Sequence, residues 1–355
     1  MINSLQSLRG IFAIMIFLSH FNITDDGVRA FYPGGTMGVE FFIMLSGFVM
    51  CAGYEKIVEL RNISYKDFML RRIIRLYPLH ILCLVAWMIL HNDWPSYSVL
   101  GVNALMLQAW VPKMDVFYGC NTPSWCLSVF MFLYAVFPLL IGFYYRRPRR
   151  AAGVLTLLII GFIAYIIALP TENEEMEVWL SRILPPVRLV DFSIGVALWQ
   201  FYRFLRENKN VVRLRSSSVA LKTAVELFAI GLYVISTVFA LKLSPKWCSE
   251  LIWWLPTAFT LMLFSLTDKS GGLISRLLNC RPLVMFGNAS FCFYLLHLIV
   301  VAAVYRFTNH FGITQSHPVM LLITLAVAIA VSLLTNRYFE EPVGRRLRKR
   351  LKSAA

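Results

Sequence analysis

Acidic residues are scarce in this chain. Only 19 Asp and Glu stand against 34 Lys and Arg among 355 residues, and the charged types together make up 15%. Soluble domains carry about 25% charged and about 45–50% apolar residues. A hydrophobic content of 58% and a mean hydropathy of +0.66 exclude that class and leave an integral membrane protein. No polar stretch is long enough to form a second soluble domain, and no internal repeat or low-complexity segment occurs. The seven cysteines lack the spacing of metal ligands. Cys51, Cys83 and Cys292 lie inside apolar runs and read as small core residues, whereas Cys120 and Cys126 could pair in an oxidising compartment. The first apolar run has no preceding basic cluster and no small-residue cleavage site, so it reads as a permanent span rather than a signal peptide.

What the chain has in abundance is apolar runs. A helix needs about 20 residues to cross a bilayer. Runs near that length fall around 8–24, 37–53, 76–91, 124–145, 151–169, 185–204, 219–241, 250–267, 283–305 and 318–337, giving ten expected spans. The run 99–110 is too short and reads as a re-entrant or interfacial segment. With both termini cytoplasmic, the inside segments hold Arg9, Lys56 to Arg75, RRPRR at 146–150, Arg203 to Lys222, Lys269 to Arg281 and the tail from Arg337. These hold most of the 34 basic residues, while the acidic TENEEMEVW faces outside, as the positive-inside rule requires. Counting 99–110 as a span would invert everything after it and put RRPRR outside. Topology thus accounts for the net charge of +15, and nucleic acid is not an expected partner. The expected architecture is an all-α polytopic membrane bundle: one transmembrane domain over 1–342 and a basic cytoplasmic tail over 343–355.

Ionisable groups inside a membrane are costly and mark function. Arg9 and His20 in SLRGIFAIMIFLSH are eleven residues, roughly 17 Å and three turns, apart on one helix face. The bland alternative is a membrane anchor and an interfacial histidine. Glu40, in GTMGVEFFIMLSGF, is expected at about the depth of His20 on the antiparallel neighbour, where a carboxylate would orient an imidazole acting as base. A glutamate bonded to a helix N-terminus is the competing reading. Gly34, Gly35, Gly38 and Gly47 fit close helix packing or a loop pressed on a ligand. Arg71, Arg72 and Arg75 precede the third span; they suit phosphate gripping, or equally an amphipathic helix on anionic headgroups. Arg188 and Asp191 near the sixth span could pair with each other. His297 follows Asn288, Ser290 and Tyr294 and suits either packing or chemistry.

The ordered blocks LQSLRGIFAIMIFLSHF, GVEFFIMLSGF, FMLRRIIRLYP, TPSWCLSVFMFLYAVFPLL, PPVRLVDFSIGVAL, FGNASFCFYLLH and FEEPVGRRLRKR together resemble acyltransferase family 3, from Leu5 to about Arg348. These are integral membrane acyltransferases that modify bacterial glycans. The resemblance implies a multi-pass protein of the bacterial cytoplasmic membrane. It implies His20 as catalytic residue paired with Arg9, and acyl-CoA, commonly acetyl-CoA, as a donor handled from the cytosol, with no tightly bound cofactor. Arg72 and Arg75 match the family's Arg-x-x-Arg, and Glu40, Ser46, Gly47, Glu341 and Pro342 fall in its blocks. One departure is that Trp125 is followed by CLSVFMFLY where many members carry acidic residues, which leaves Glu40 and Asp191 as candidate carboxylates. Trp125, Arg188, Asp191, Asn288, Tyr294 and His297 are the expected acceptor-side residues. The chain ends soon after the last span, so the appended outer hydrolase-like domain of some relatives is not expected. The expected reaction is O-acylation of a polysaccharide sugar or lipid-linked sugar, amid membrane lipids. A proton-coupled transporter or flippase would use the same buried groups, but its usual pointer, paired broken helices in two related halves, is missing.

Overall fold

The computed structural model describes residues 2–24, 28–60, 64–91, 94–169, 172–242, 251–267, 270–313 and 316–353. Met1, Arg61, Thr171, Glu250, Lys269 and the last two residues of the tail, each part of a segment named above, lie outside the described residues.

Among the described residues the regular secondary structure is helical, apart from one antiparallel bridge between Asn22 and Arg29. In chain order the helices are α1 (Asn3–His20), α2 (Gly34–Leu60), α3 (Tyr65–Leu90), α4 (Tyr97–Ala104), α5 (Met114–Phe117), α6 (Trp125–Arg146), α7 (Pro148–Ala168), α8 (Glu174–Val178), α9 (Leu189–Leu205), α10 (Lys209–Ser216), α11 (Val219–Lys242), α12 (Leu251–Thr267), α13 (Leu273–Leu278), α14 (Arg281–Asn288), α15 (Ser290–His310), α16 (His317–Thr335) and α17 (Glu341–Ser353). Every run expected to span holds a helix. Seven of the described helices are long and apolar enough to cross a membrane: α2, α3, α6, α7, α11, α15 and the run from α16 into α17. α1, α9 and α12 lie outside that set, with 17 residues each in α9 and α12 and several polar residues in the first turns of α1. The protein is an all-α, polytopic membrane bundle. Segment 97–117 folds as α4, a 3-10 turn at Gln108–Trp110 and α5. His80 pins it to α3 through a 2.8 Å bond to the Asn103 carbonyl.

Two boundaries differ from expectation. Arg71, Arg72 and Arg75 lie within α3, which starts at Tyr65 after Ser64 caps the Asp67 amide, so the arginines ride on the spanning helix itself. The run 283–305 breaks at Ala289, which separates α14 from α15.

The centre of the bundle is α2, two thirds of whose apolar window is buried in protein, against 17% for α7 at the rim. Lipid tails give apolar helices little reason to associate, so backbones must approach through small residues. A Cβ on Gly38 would meet Ile16 and the Phe12 carbonyl of α1. One on Gly47 would strike the Phe192 carbonyl of α9, and one on Gly195 the Met44 carbonyl of α2. These glycines pack helices rather than cradle a ligand. The polar first turns of α1 also face protein: Ser4 and Ser7 donate to the carbonyls of Phe264 and Leu278. Gly287 of α14 presses on the Gln6 and Ser7 backbone. Gly287→Ala must push α14 off α1, and overpacking of this kind costs about 1–3 kcal/mol. A lower unfolding temperature in detergent checks it; an unchanged one would show that the two helices separate freely.

The sequence gives no hint of one buried carboxylate. Glu226, mid-run in α11, is fully buried. It accepts from the amides of Gly272 (2.7 Å) and Ile274 (3.0 Å) and from the Ser275 hydroxyl (2.5 Å), so it caps α13. The six described cysteines are free thiols. Cys120 and Cys126 do not pair, and burial pushes the Cys120 thiol up to about 11.

Candidate active site

A cavity of about 470 Å³ opens among α1, α2, α3, α6, α9 and α15. Arg9, Arg72 and Arg75 line it together. Arg9 donates to Gln6 (2.9 Å) and lies within electrostatic reach of Arg75, Glu340 and Tyr134. Arg72 donates to Met50 (3.3 Å), and its guanidinium stands over the rings of Phe68 and Tyr134, 5.6 Å from each centroid. Stacking of this kind holds the guanidinium plane in place. The remaining walls are largely apolar, Phe42, Leu45, Phe130 and Phe291 among them, with Ser46, Trp199, Tyr202, Ser290 and Tyr294 among the polar exceptions. The cavity thus sets three cations among largely apolar walls, a lining suited to a molecule with an anionic head and a long apolar arm.

Phe42 and Tyr294 meet on the cavity wall, with ring centroids 6.2 Å apart. Tyr294 is fixed by its hydroxyl donating to the Pro123 carbonyl (2.8 Å). One turn further along α15 lies His297, fully buried, and against it lies His20 at the end of α1. The first helix and its N-cap reach the cavity wall only through Ile2, Leu5, Gln6 and Arg9, so the open space does not follow α1 as far as His20. The two histidines come together from positions 277 residues apart: His297 Nε2 is 3.4 Å from His20 Nδ1, with ring centroids 5.3 Å apart.

Their tautomers follow from their partners. A carbonyl oxygen can only accept. His20 Nδ1 lies 2.9 Å from the Ile16 carbonyl and His297 Nδ1 lies 2.8 Å from the Tyr294 carbonyl, so both Nδ1 atoms carry the proton. His297 Nε2 then offers a lone pair to His20 Nδ1–H, which it shares with Ile16. The lone pair on His20 Nε2 is left for another molecule.

Glu40 is not beside His20. Gly35 of α2 lies against Ser19 and Gly38 against Ile16 and Phe12. Glu40 is therefore roughly 8 Å further along α2, away from the His20 level. There it meets Arg188 at 3.8 Å. Arg188 also bonds Asp191 (3.3 Å) and the Arg182 carbonyl (2.7 Å) and stands 5.9 Å from the Trp125 ring centroid. Trp254 donates to the other Asp191 oxygen at 2.7 Å. The three charged groups are 1% exposed or less. Of the expected acceptor-side residues, Arg188 and Asp191 thus join Glu40 in a closed ionic cluster beside Trp125, while Tyr294 lines the cavity and His297 lies one turn beyond it. Asn288 joins neither: it ends α14 and is exposed, because the break at Ala289 takes it off the helix that carries His297.

Sequence comparison agrees with the fold. A family model described as an acyltransferase domain, that of acyltransferase family 3, matches residues 2–337. The acyltransferase MdmB of Streptomyces mycarofaciens is 29% identical over 341 residues, covering 89% of this chain and 82% of that protein. The putative peptidoglycan O-acetyltransferase YrhL of Bacillus subtilis is 24% identical over 84% of this chain, and the O-acetyltransferase OatA of Staphylococcus aureus 21% identical over 96%. The chain spans about half the length of each of the last two, 48% and 56%. No solved structure matches it. With the family model covering nearly the whole chain and the helices of a membrane bundle beneath it, this protein belongs to acyltransferase family 3 as a multi-pass membrane acyltransferase.

Proposed function

We propose that the protein transfers an acyl group, most often acetyl, from acyl-CoA at the cytoplasmic face to a sugar hydroxyl of a cell-surface or exported polysaccharide. The observation that carries this reading is one cavity lined by three arginines and largely apolar walls, with the paired histidines one turn of α15 beyond its Tyr294 wall. Relatives named as O-acetyltransferases support the reaction class. Arg9, Arg72 and Arg75 hold the phosphates of the donor by charge-assisted, forked bonds. The acyl-thioester arm lies along Phe42, Leu45 and Phe130, and Phe42 and Tyr294 give way to let it reach His20. His20 Nε2 takes the proton of the acceptor hydroxyl as its oxygen attacks the thioester carbonyl. The tetrahedral intermediate collapses with cleavage of the C–S bond. The departing thiolate takes the proton from the imidazolium, giving free CoA and the sugar ester.

The test is transfer of label from acetyl-CoA to a membrane glycan extract by the purified protein. Other acyl donors follow if acetyl is inert, and consumption of none of them would hand the reading to a transporter. The double variant Arg72→Ala with Arg75→Ala is expected to raise KM for the donor by about 10²–10⁴-fold with kcat little changed. Each charge-assisted bond contributes about 1.5–3 kcal/mol, and here it is made equally in ground and transition states. An unchanged KM would move the phosphates elsewhere.

A further inference from the structure

We propose that His297 is a positioning residue for His20: its Nε2 lone pair holds the Nδ1–H of His20, so that His20 presents Nε2 to the acceptor. The proposal rests on the reading of His20 as the general base.

The bond to Ile16 is an i to i−4 contact within α1, made by a ring on the last residue of that helix, and alone it leaves the ring free to swing. The second acceptor comes from α15, a different helix, and fixes the swing. His297 is itself immobilised. Its Nδ1–H is bound to Tyr294, its ring lies parallel to Phe293 (centroids 6.2 Å apart, 16°), and Phe17 meets it edge-on at 6.3 Å. With no exposed surface and both ring nitrogens engaged, His297 cannot touch an acceptor sugar, which removes it from the expected acceptor-binding set. His20 is only partly buried and keeps a nitrogen for the acceptor.

The couple also acts during the reaction. When His20 Nε2 takes the hydroxyl proton, its Nδ1–H becomes a stronger donor, and the lone pair of His297 Nε2 lies in line to meet the new charge. In many esterases a buried carboxylate holds the base in this way. Here the orienting atom is a neutral nitrogen, since Glu40 is committed to Arg188.

The experiment uses the full chain in lipid nanodiscs, labelled with ¹⁵N-histidine, the His20 signals being assigned by their loss in His20→Asn. In the wild type, His20 is expected as a single Nδ1–H tautomer. In His297→Phe, which keeps the shape and removes the acceptor, the His20 signals should become a mixture of tautomers. There kcat is expected to fall about 10²-fold with KM for acetyl-CoA unchanged, the scale of loss from a slightly misplaced group. In His297→Gln the amide oxygen can replace Nε2, and kcat should recover to within about tenfold of wild type. A wild-type spectrum with His20 protonated at Nε2 alone overturns the proposal. A folded His297→Phe protein with wild-type tautomer and rate overturns it too, as does a His297→Gln protein as slow as His297→Phe. If the wild type transfers no acyl group from any donor, the proposed function fails, while the spectra still decide whether the couple exists.

Discussion

In the His20→Ala protein, acyl transfer is expected to fall by about 10²–10⁴-fold, the range spanned by loss of a general base, while the donor binds as before. The separation of the two effects follows from geometry. Donor contacts are expected from the cavity, and no wall residue of that cavity is His20. Of the arginines proposed to bind phosphate, Arg9 stands eleven residues away along α1, roughly 17 Å. The imidazole also carries little of the fold, because its described hydrogen bonds are to Ile16 within its own helix and to His297. Truncation should therefore leave elution volume and unfolding temperature near those of the wild type. Single-turnover transfer from labelled acetyl-CoA reads the chemistry, and equilibrium dialysis reads donor affinity. Equal rates in both proteins would remove His20 as the base. A loss of affinity with kcat intact would instead make it a donor contact and move the chemistry to another side chain.

How far this site was legible in the chain depends on the distance over which each feature is encoded. Hydropathy alone placed a helix at every expected span, because backbone groups in lipid must be satisfied within the segment and only long apolar helices do so. Arg9, Arg72 and Arg75 were grouped because they lie near the cytoplasmic starts of the first and third spans, which run in the same direction, and the structure brings all three to one cavity. Depth was less secure. Glu40 was expected level with His20, yet α2 begins at Gly34 beside the last turns of α1, and every residue after it descends by about 1.5 Å. The break at Ala289 was hidden, since α14 and α15 together read as one continuous apolar run. The His20–His297 contact and the cap that Glu226 places on α13 join parts of the chain 277 and 46 residues apart. Nothing local to either partner announces them.

Arg188→Leu is expected to be the most destabilising substitution in the bundle. Removing one member of a buried ion pair costs about 3–5 kcal/mol, because the charge left behind stays desolvated. Here one guanidinium serves two carboxylates, Glu40 on α2 and Asp191 on α9, in a site almost closed to solvent. It also satisfies the Arg182 carbonyl through Nε and faces the Trp125 ring, so leucine loses all of these at once. Trp254 would still donate to Asp191, but an indole N–H carries no charge to offset the two acids. Arg188→Lys should recover part of the loss, since the charge returns while the forked geometry and the flat stacking on Trp125 do not. The decisive comparison adds Glu40→Gln and Asp191→Asn to an Arg188→Met background. Replacing a whole buried ionic cluster by neutral groups of similar size is often nearly neutral, so the triple variant should unfold closer to wild type than Arg188→Leu alone. Unfolding in mixed micelles with rising denaturing detergent gives all four stabilities. If the triple variant is no better than the single, the damage comes from lost packing against Trp125 rather than stranded charge. If Arg188→Leu is as stable as wild type, the cluster contributes nothing to holding α2 against α9, and the close glycine contacts Gly47 and Gly195 make that helix pair on their own.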